Sequence, residues 1–108
     1  MTAEGERECW SRERNCVCLK LDVAPGETFI FPYQQLLSAQ HLRASGEETL
    51  KLWFGTHQVV IPGRQFGEIA AALQDLAVEQ ISVMPARYRE LPQGEGAWVK
   101  QIDITFNE

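Results

Sequence analysis

The chain has 108 residues, a length that suits one domain, and 44% of them are hydrophobic, close to the globular average, so most of it is expected to be ordered. Its formal net charge of −5 works against binding a nucleic-acid backbone, and the nearest approach to a basic patch, Arg87-Tyr88-Arg89, is neutralised by Glu90 and Glu95. No apolar run approaches the roughly 20 residues of a membrane span and no secretory leader is read after Met1, so three cysteines, an odd count, are expected as free thiols in the cytoplasm.

Residues 1–15 alternate in charge through Glu4, Glu6, Arg7, Glu8, Arg12, Glu13 and Arg14, with Trp10 as the one large apolar side chain. Such a stretch buries too little apolar area to offset its ordering entropy, which predicts a disordered tail ahead of a single domain over residues 16–108. From Cys16 the pattern changes. Val17, Leu19, Leu21 and Val23 alternate with Cys16, Cys18, Lys20 and Asp22, the period of a half-buried strand. Pro25-Gly26 then signals a turn, and residues 28–31 read as a second strand that Pro32 cuts short. Residues 36–43 suit either a third strand or a short helix, and residues 44–48 a polar loop.

Residues 49–62 carry the clearest local signal. With Gly55-Thr56 at the centre of a tight turn, glycine first suits a type II′ geometry with positive φ at Gly55. The register then pairs Phe54 with His57, Leu52 with Val59 and Leu50 with Ile61, which places five apolar residues and His57 on one face. Thr49, Lys51, Trp53, Gln58 and Val60 fall on the other. A helix is expected next, with Gly63 as its N-cap and Phe66, Ile69, Ala70, Leu73, Leu76 and Ala77 as an apolar stripe laid on the hairpin face. Residues 78–84 suit a short strand and residues 85–96, with two prolines and two glycines, an exposed loop around Tyr88. Residues 97–106 read as one last strand with Trp98, Ile102, Ile104 and Phe106 on one face. The fold class this implies is α+β: a mostly antiparallel sheet of about five to seven strands with one amphipathic helix on one face.

The run Leu50-Lys51-Leu52-Trp53-Phe54-Gly55-Thr56-His57 followed by an amphipathic helix resembles the end of a pleckstrin-homology-like barrel. Phe31-Pro32-Tyr33-Gln34-Gln35-Leu36-Leu37 is similar to the lead-in to a barrel strand in small bacterial members. The resemblance covers about residues 29–77, rests on pattern, and implies a barrel as the alternative fold. The chain departs from it at residues 97–106, which add a strand where that family ends on its helix.

No chemical motif is assembled along the chain. Cys16 and Cys18 with His41 and His57 supply zinc-ligating types, but one intervening residue does not match the usual spacing, so no metal and no cofactor are expected. Ser11, Ser38, Ser45 and Ser82 lie outside any G-x-S-x-G, His57 sits at the hairpin rim as a structural or solvated residue, and Glu47-Glu48 reads as a solvated pair. Gly63 and Arg64, at the expected helix start, form a candidate anion site, beside the plainer reading of a helix that binds nothing. Trp53 and Val60 point away from the expected core, Tyr88 sits in the loop, and Trp98 lies on sheet surface that one helix cannot cover. These four form a candidate partner-binding set. The functional expectation is a cytoplasmic, non-catalytic interaction or binding module that contacts a protein partner or itself. The alternative is a small-molecule-binding or enzymatic domain with its pocket between helix and sheet.

Overall fold

The computed structural model describes residues 9–84 and 97–107. In chain order the elements are β1 (Trp10–Arg12), β2 (Cys18–Ala24), β3 (Glu27–Pro32), a 3-10 turn (Tyr33–Gln35), β4 (Leu36–Ala44), β5 (Glu47–Phe54), β6 (His57–Arg64), α1 (Gly67–Gln74), β7 (Val78–Ser82), β8 (Trp98–Val99) and β9 (Asp103–Phe106). The described residues thus hold nine strands rather than five to seven, divided between two sheets. Sheet A runs β1-β7-β2-β3, and sheet B runs β4-β5-β6 with β8 and β9 both on β6. Neither order closes on itself, so the barrel implied by the family resemblance is not formed.

The β5–β6 hairpin forms in the expected register, with Leu50 opposite Ile61 and Leu52 opposite Val59. Leu50, Leu52, Phe54, Val59 and Ile61 are all at most 1% exposed. Their cover differs from the expected helix alone. Phe31 of β3 stacks on Phe54 at 4.4 Å between ring centroids, so sheet A packs directly on sheet B. Leu19, Leu21, Val78 and Ile81 of sheet A belong to the same buried cluster, α1 adds Ile69, Ala72 and Leu73, and Phe66 just ahead of it joins them. Sheet A is mixed: β7 runs parallel to β2 and antiparallel to β1.

Several boundaries move, each for a local reason. Cys9 is buried and β1 pairs with β7, so residues 9–12, within the segment read as a tail, pack on sheet A. The alternation that begins at Cys16 becomes strand only from Cys18, and Val17 is 77% exposed. Residues 36–43 are strand, because β4 finds a partner in β5 that local helix propensity does not supply. Gly63 and Arg64 end β6 and do not start the helix, which is preceded by Phe66. The helix stops at Gln74 in a Schellman arrangement: Ala77 N–H reaches Ala72 carbonyl, Leu76 N–H reaches Leu73 carbonyl, and Leu76 takes φ +54°. Leu76 is therefore 44% exposed and leaves the buried stripe. The loop expected at residues 85–96 lies outside the described residues.

The last strand is broken. Gly63 faces Val99 and Val60 faces Asp103, so β6 spends two residues, Ile61 and Pro62, where the partner spends three. Pro62 has no N–H to donate, and its carbonyl takes the Lys100 N–H at 2.9 Å. The missing donor thus falls at the interruption, as proline in a sheet requires. The extra residue puts Val99 and Ile102 in the core and leaves Trp98 on the opposite face.

Two glycines behave differently from expectation. Gly55 is not among the positive-φ residues, so the turn is not the type II′ inferred from sequence. Positive φ falls instead on Ser45 (53°) and Gly46 (82°), the pair a type I′ turn between β4 and β5 demands. At Gly63 a Cβ would lie 2.0 Å from the Trp98 carbonyl oxygen and 2.5 Å from the Phe66 ring; at Gly55 it would meet only the Gln35 side-chain oxygen, at 2.6 Å. Backbone cannot yield as a glutamine end can. Gly63→Ala is expected to cost about 2 kcal/mol or more in urea unfolding, and Gly55→Ala under about 1 kcal/mol. Equal losses at the two positions would refute the close approach at β8.

Candidate functional site

Strand pairing decides which residues share a surface, because directly opposed residues project to the same side. Leu50, Leu52, Val59 and Ile61 mark the inner face of sheet B. The outer face carries Ser38, Gln40 and Leu42 from β4, Thr49, Lys51 and Trp53 from β5, Gln58, Val60, Pro62 and Arg64 from β6, and Trp98 from β8. None of these is buried. Trp53 and Val60 are half-buried, sheltered by cross-strand neighbours Gln58 and Lys51. The register therefore brings three of the four candidate partner-binding residues, Trp53, Val60 and Trp98, onto one face. Tyr88 lies outside the described residues.

At the far end of that face Arg64 stands opposite Trp98, its guanidinium carbon 5.1 Å from the ring centroid. This is a cation–π contact. The Trp98 indole Nε1 is buried and has no hydrogen-bond partner among the described residues. Gly63 is packed against the Trp98 backbone and the Phe66 ring, and both Gly63 and Arg64 belong to a strand. They do not stand at a helix start, the position from which an anion site is expected of them, because β6 continues through both residues.

The helix start is occupied by a carboxylate of the chain itself. Glu48, on the inner side of β5, accepts the Phe66 N–H at 2.8 Å and His41 Nε2 at 2.7 Å on one oxygen. Burial opposes its ionisation, but the hydrogen bonds from His41 and from the Phe66 and Gln65 N–H groups outweigh it and hold the carboxyl below its ordinary 4.5. Glu48 is thus not the solvated residue expected from sequence; its side chain is 18% exposed. It also fixes the connection in which Gln65 takes φ +61°. A glutamate 18 residues ahead of Phe66, the residue that leads into the helix, leaves no local signal.

A second polar cluster lies on the outer face of sheet A. Asp22 accepts from Thr28 Oγ1 (2.6 Å), Ser82 Oγ (2.8 Å) and Gln80 Nε2. Burial raises the Asp22 pKa, while these bonds and nearby Lys20 bring the net value below its ordinary 3.8. The carboxylate edges a groove of about 590 Å³ with Val23, Pro25, Gly26, Val83 and Met84 among its walls. Three donors already satisfy Asp22, so little polar capacity is left for a ligand.

Among the described residues, His57 and Tyr33 are held by contacts within the fold. His57 packs edge-on against Phe31 (5.3 Å) and Phe106 (5.2 Å). Cys9, Cys16 and Cys18 are not joined in disulfides, and burial together with Glu79 and Glu13 pushes the Cys16 thiol up, away from the thiolate that a nucleophile needs. Tyr33 donates to the Val78 carbonyl at 2.6 Å, and burial pushes it up to about 12, so it remains a neutral donor. Among the described residues no three His, Cys, Asp or Glu groups come together to hold a metal, and no helix is long and apolar enough to cross a membrane.

No protein-family model, curated protein or solved structure matches this chain. The site is therefore defined by its own geometry.

Among the described carboxyl groups, Glu48 and Asp22 are the two held below their ordinary values. A carboxyl whose folded pKa lies below its unfolded one stabilises the fold above the unfolded value, and that contribution is lost as pH falls through the folded value. Urea stability is expected to fall as pH drops below the ordinary carboxylate values near 4, and Glu48→Gln and Asp22→Asn should each flatten that decline. An unchanged profile in both variants would show that neither group is linked to folding.

Proposed function

We propose that this chain is a non-catalytic protein-interaction module that works in the cytoplasm and presents the outer face of sheet B. The observation that carries the reading is the contrast between the two faces of the same strands. The inner apolar residues are sealed at 1% exposure or less, while Trp53, Val60 and Trp98 share the other face and none is buried. Tryptophan on an open sheet face, with an arginine beside it at Trp98, is the composition that protein interfaces favour. The acidic balance of −5 argues for a protein partner over a nucleic acid.

The alternative, a pocket between helix and sheet, has a specific requirement: polar groups converging beneath the helix. Among the described residues no polar or charged residue is buried, and α1 turns Ile69, Ala72 and Leu73 into the apolar core. That composition favours the module.

The test is a pulldown from native cell extract with the full chain and with a Trp53→Ala/Val60→Thr variant. Both substitutions lie outside the core, so the variant should keep the wild-type circular dichroism. A protein retained by the wild type and weakened about ten-fold or more by the variant is expected, the size of a hot-spot loss. Identical retained sets would end the reading.

A further inference from the structure

Among the described residues, β4 ends sheet B and pairs only with β5. Which of its backbone groups face outward follows from Pro62. The N–H and C=O of one strand residue leave on the same side, and Pro62 carbonyl points to the C-terminal strand, where it takes the Lys100 N–H. Ile61 and Gly63 therefore point to β5. Carried through the register, Thr49, Lys51 and Trp53 point to β4 and meet Leu42, Gln40 and Ser38. The Ala44–Glu47 pair that closes the Ser45-Gly46 turn falls in the same phase. Ala39, His41 and Arg43 are left with their backbone groups turned to the open edge.

Edges of this kind are normally blunted by charge, proline or a bulge. Residues 37–42, Leu-Ser-Ala-Gln-His-Leu, contain no proline and no Asp, Glu, Lys or Arg, although the whole chain carries −5. The register shift between Leu36 and Ser38 and the charge of Arg43 bracket the stretch and leave residues 38–42 as plain ladder. Leu42 is 40% exposed and projects to the same face as Trp53.

We propose that β4 pairs antiparallel with β4 of a second copy, the two-fold axis passing at Gln40, so that two B sheets become one. The inference rests on the interaction-module reading and names its partner. Edge-facing residues must meet edge-facing residues, which restricts a two-fold to registers that place one residue opposite itself. Centring on Gln40 uses only the plain ladder: Ala39 meets His41 of the partner subunit, Ser38 meets Leu42 of the partner subunit, and Gln40 meets its own copy. No like charges oppose one another. Centring on Ala39 draws in the irregular position 37, and centring on His41 sets the imidazole opposite itself and brings Arg43 into the ladder. The stretch is also the place where two acidic molecules meet strand to strand without a carboxylate between them. The two outer faces become continuous, with the Trp53–Ser38 row running on into Leu42 of the partner subunit.

Sedimentation equilibrium on the purified full chain tests this. The wild type should dimerise below about 100 μM, as a small edge-to-edge interface allows. Gln40→Lys and Gln40→Glu, on the exposed outer side, should each weaken the dimer about ten-fold by setting like charges opposite. An equimolar mixture of the two should recover it, because only the two-fold at Gln40 places those side chains face to face. A monomeric wild type, or a dimer indifferent to both charges and to mixing, overturns the proposal. A monomer that still captures a protein in a Trp53-dependent way removes the self-pairing and leaves the module reading standing. A Gln40-centred dimer with no Trp53-dependent capture does the reverse.

Discussion

The apolar face of the β5–β6 hairpin is the constraint around which the rest of the chain is arranged. Leu50, Leu52, Phe54, Val59 and Ile61 form a continuous surface, and burying such side chains is worth about 1.5–3 kcal/mol each relative to leaving them in water. One eight-residue helix cannot cover it. The chain answers with a second sheet, seated by the stack of Phe31 on Phe54 and continued outward through Phe29, His57 and Phe106. Once that layer is in place, α1 contributes one flank of the core.

Polar groups at the margins then lock the two sheets and the helix into one arrangement. Glu48 ties β5 to the start of α1 and to His41 on β4, so one carboxylate fixes an edge strand and a helix entrance. Tyr33 ties the β3–β4 corner to β7, and Asp22 ties three strands of sheet A across its outer face. On the other side of the core, Glu13 and Cys16 donate backbone N–H groups to Ala77 and Leu76, closing the β1–β2 loop onto the end of the helix. Each such bond is worth only about 1 kcal/mol net, but each would cost more if left broken in a dry site. These polar groups are committed to the fold. Among the described residues, the outer face of sheet B and the backbone along the open edge of β4 take no part in these ties.

The sequence exposed the candidate surface unevenly. Trp53 and Val60 were legible, since one turn assumption sorted both hairpin strands by face. Trp98 was assigned to the wrong set of neighbours, because a single extra residue opposite Pro62 reverses the faces of everything beyond it. The Gly63–Arg64 site was drawn from an expected helix boundary that lies three residues too early; in the fold those residues are strand, and the helix entrance belongs to Glu48. No periodicity announces such a cap, since its partner sits on another element. β4 was ambiguous for a related reason: residues 36–43 lack a strong apolar alternation, as expected of an edge strand exposed along most of its length.

By itself, the amino-acid sequence determined the local facts: alternation along β2, β5 and β6, the Pro25-Gly26 turn, the hairpin register and the existence of one amphipathic helix. Each depends on side chains a few positions apart, so the chain carries it without reference to distant partners. Only the tertiary structure decided the rest. The parallel pairing of β2 with β7 joins residues about 60 positions apart, and β1 is held by the same distant strand. The division into two sheets, the cover of the hairpin by Phe31, the cap from Glu48 and the position of β4 at an open edge all follow from such pairings. Which apolar faces are sealed and which remain available depends on non-local contacts, and a one-dimensional pattern does not specify them.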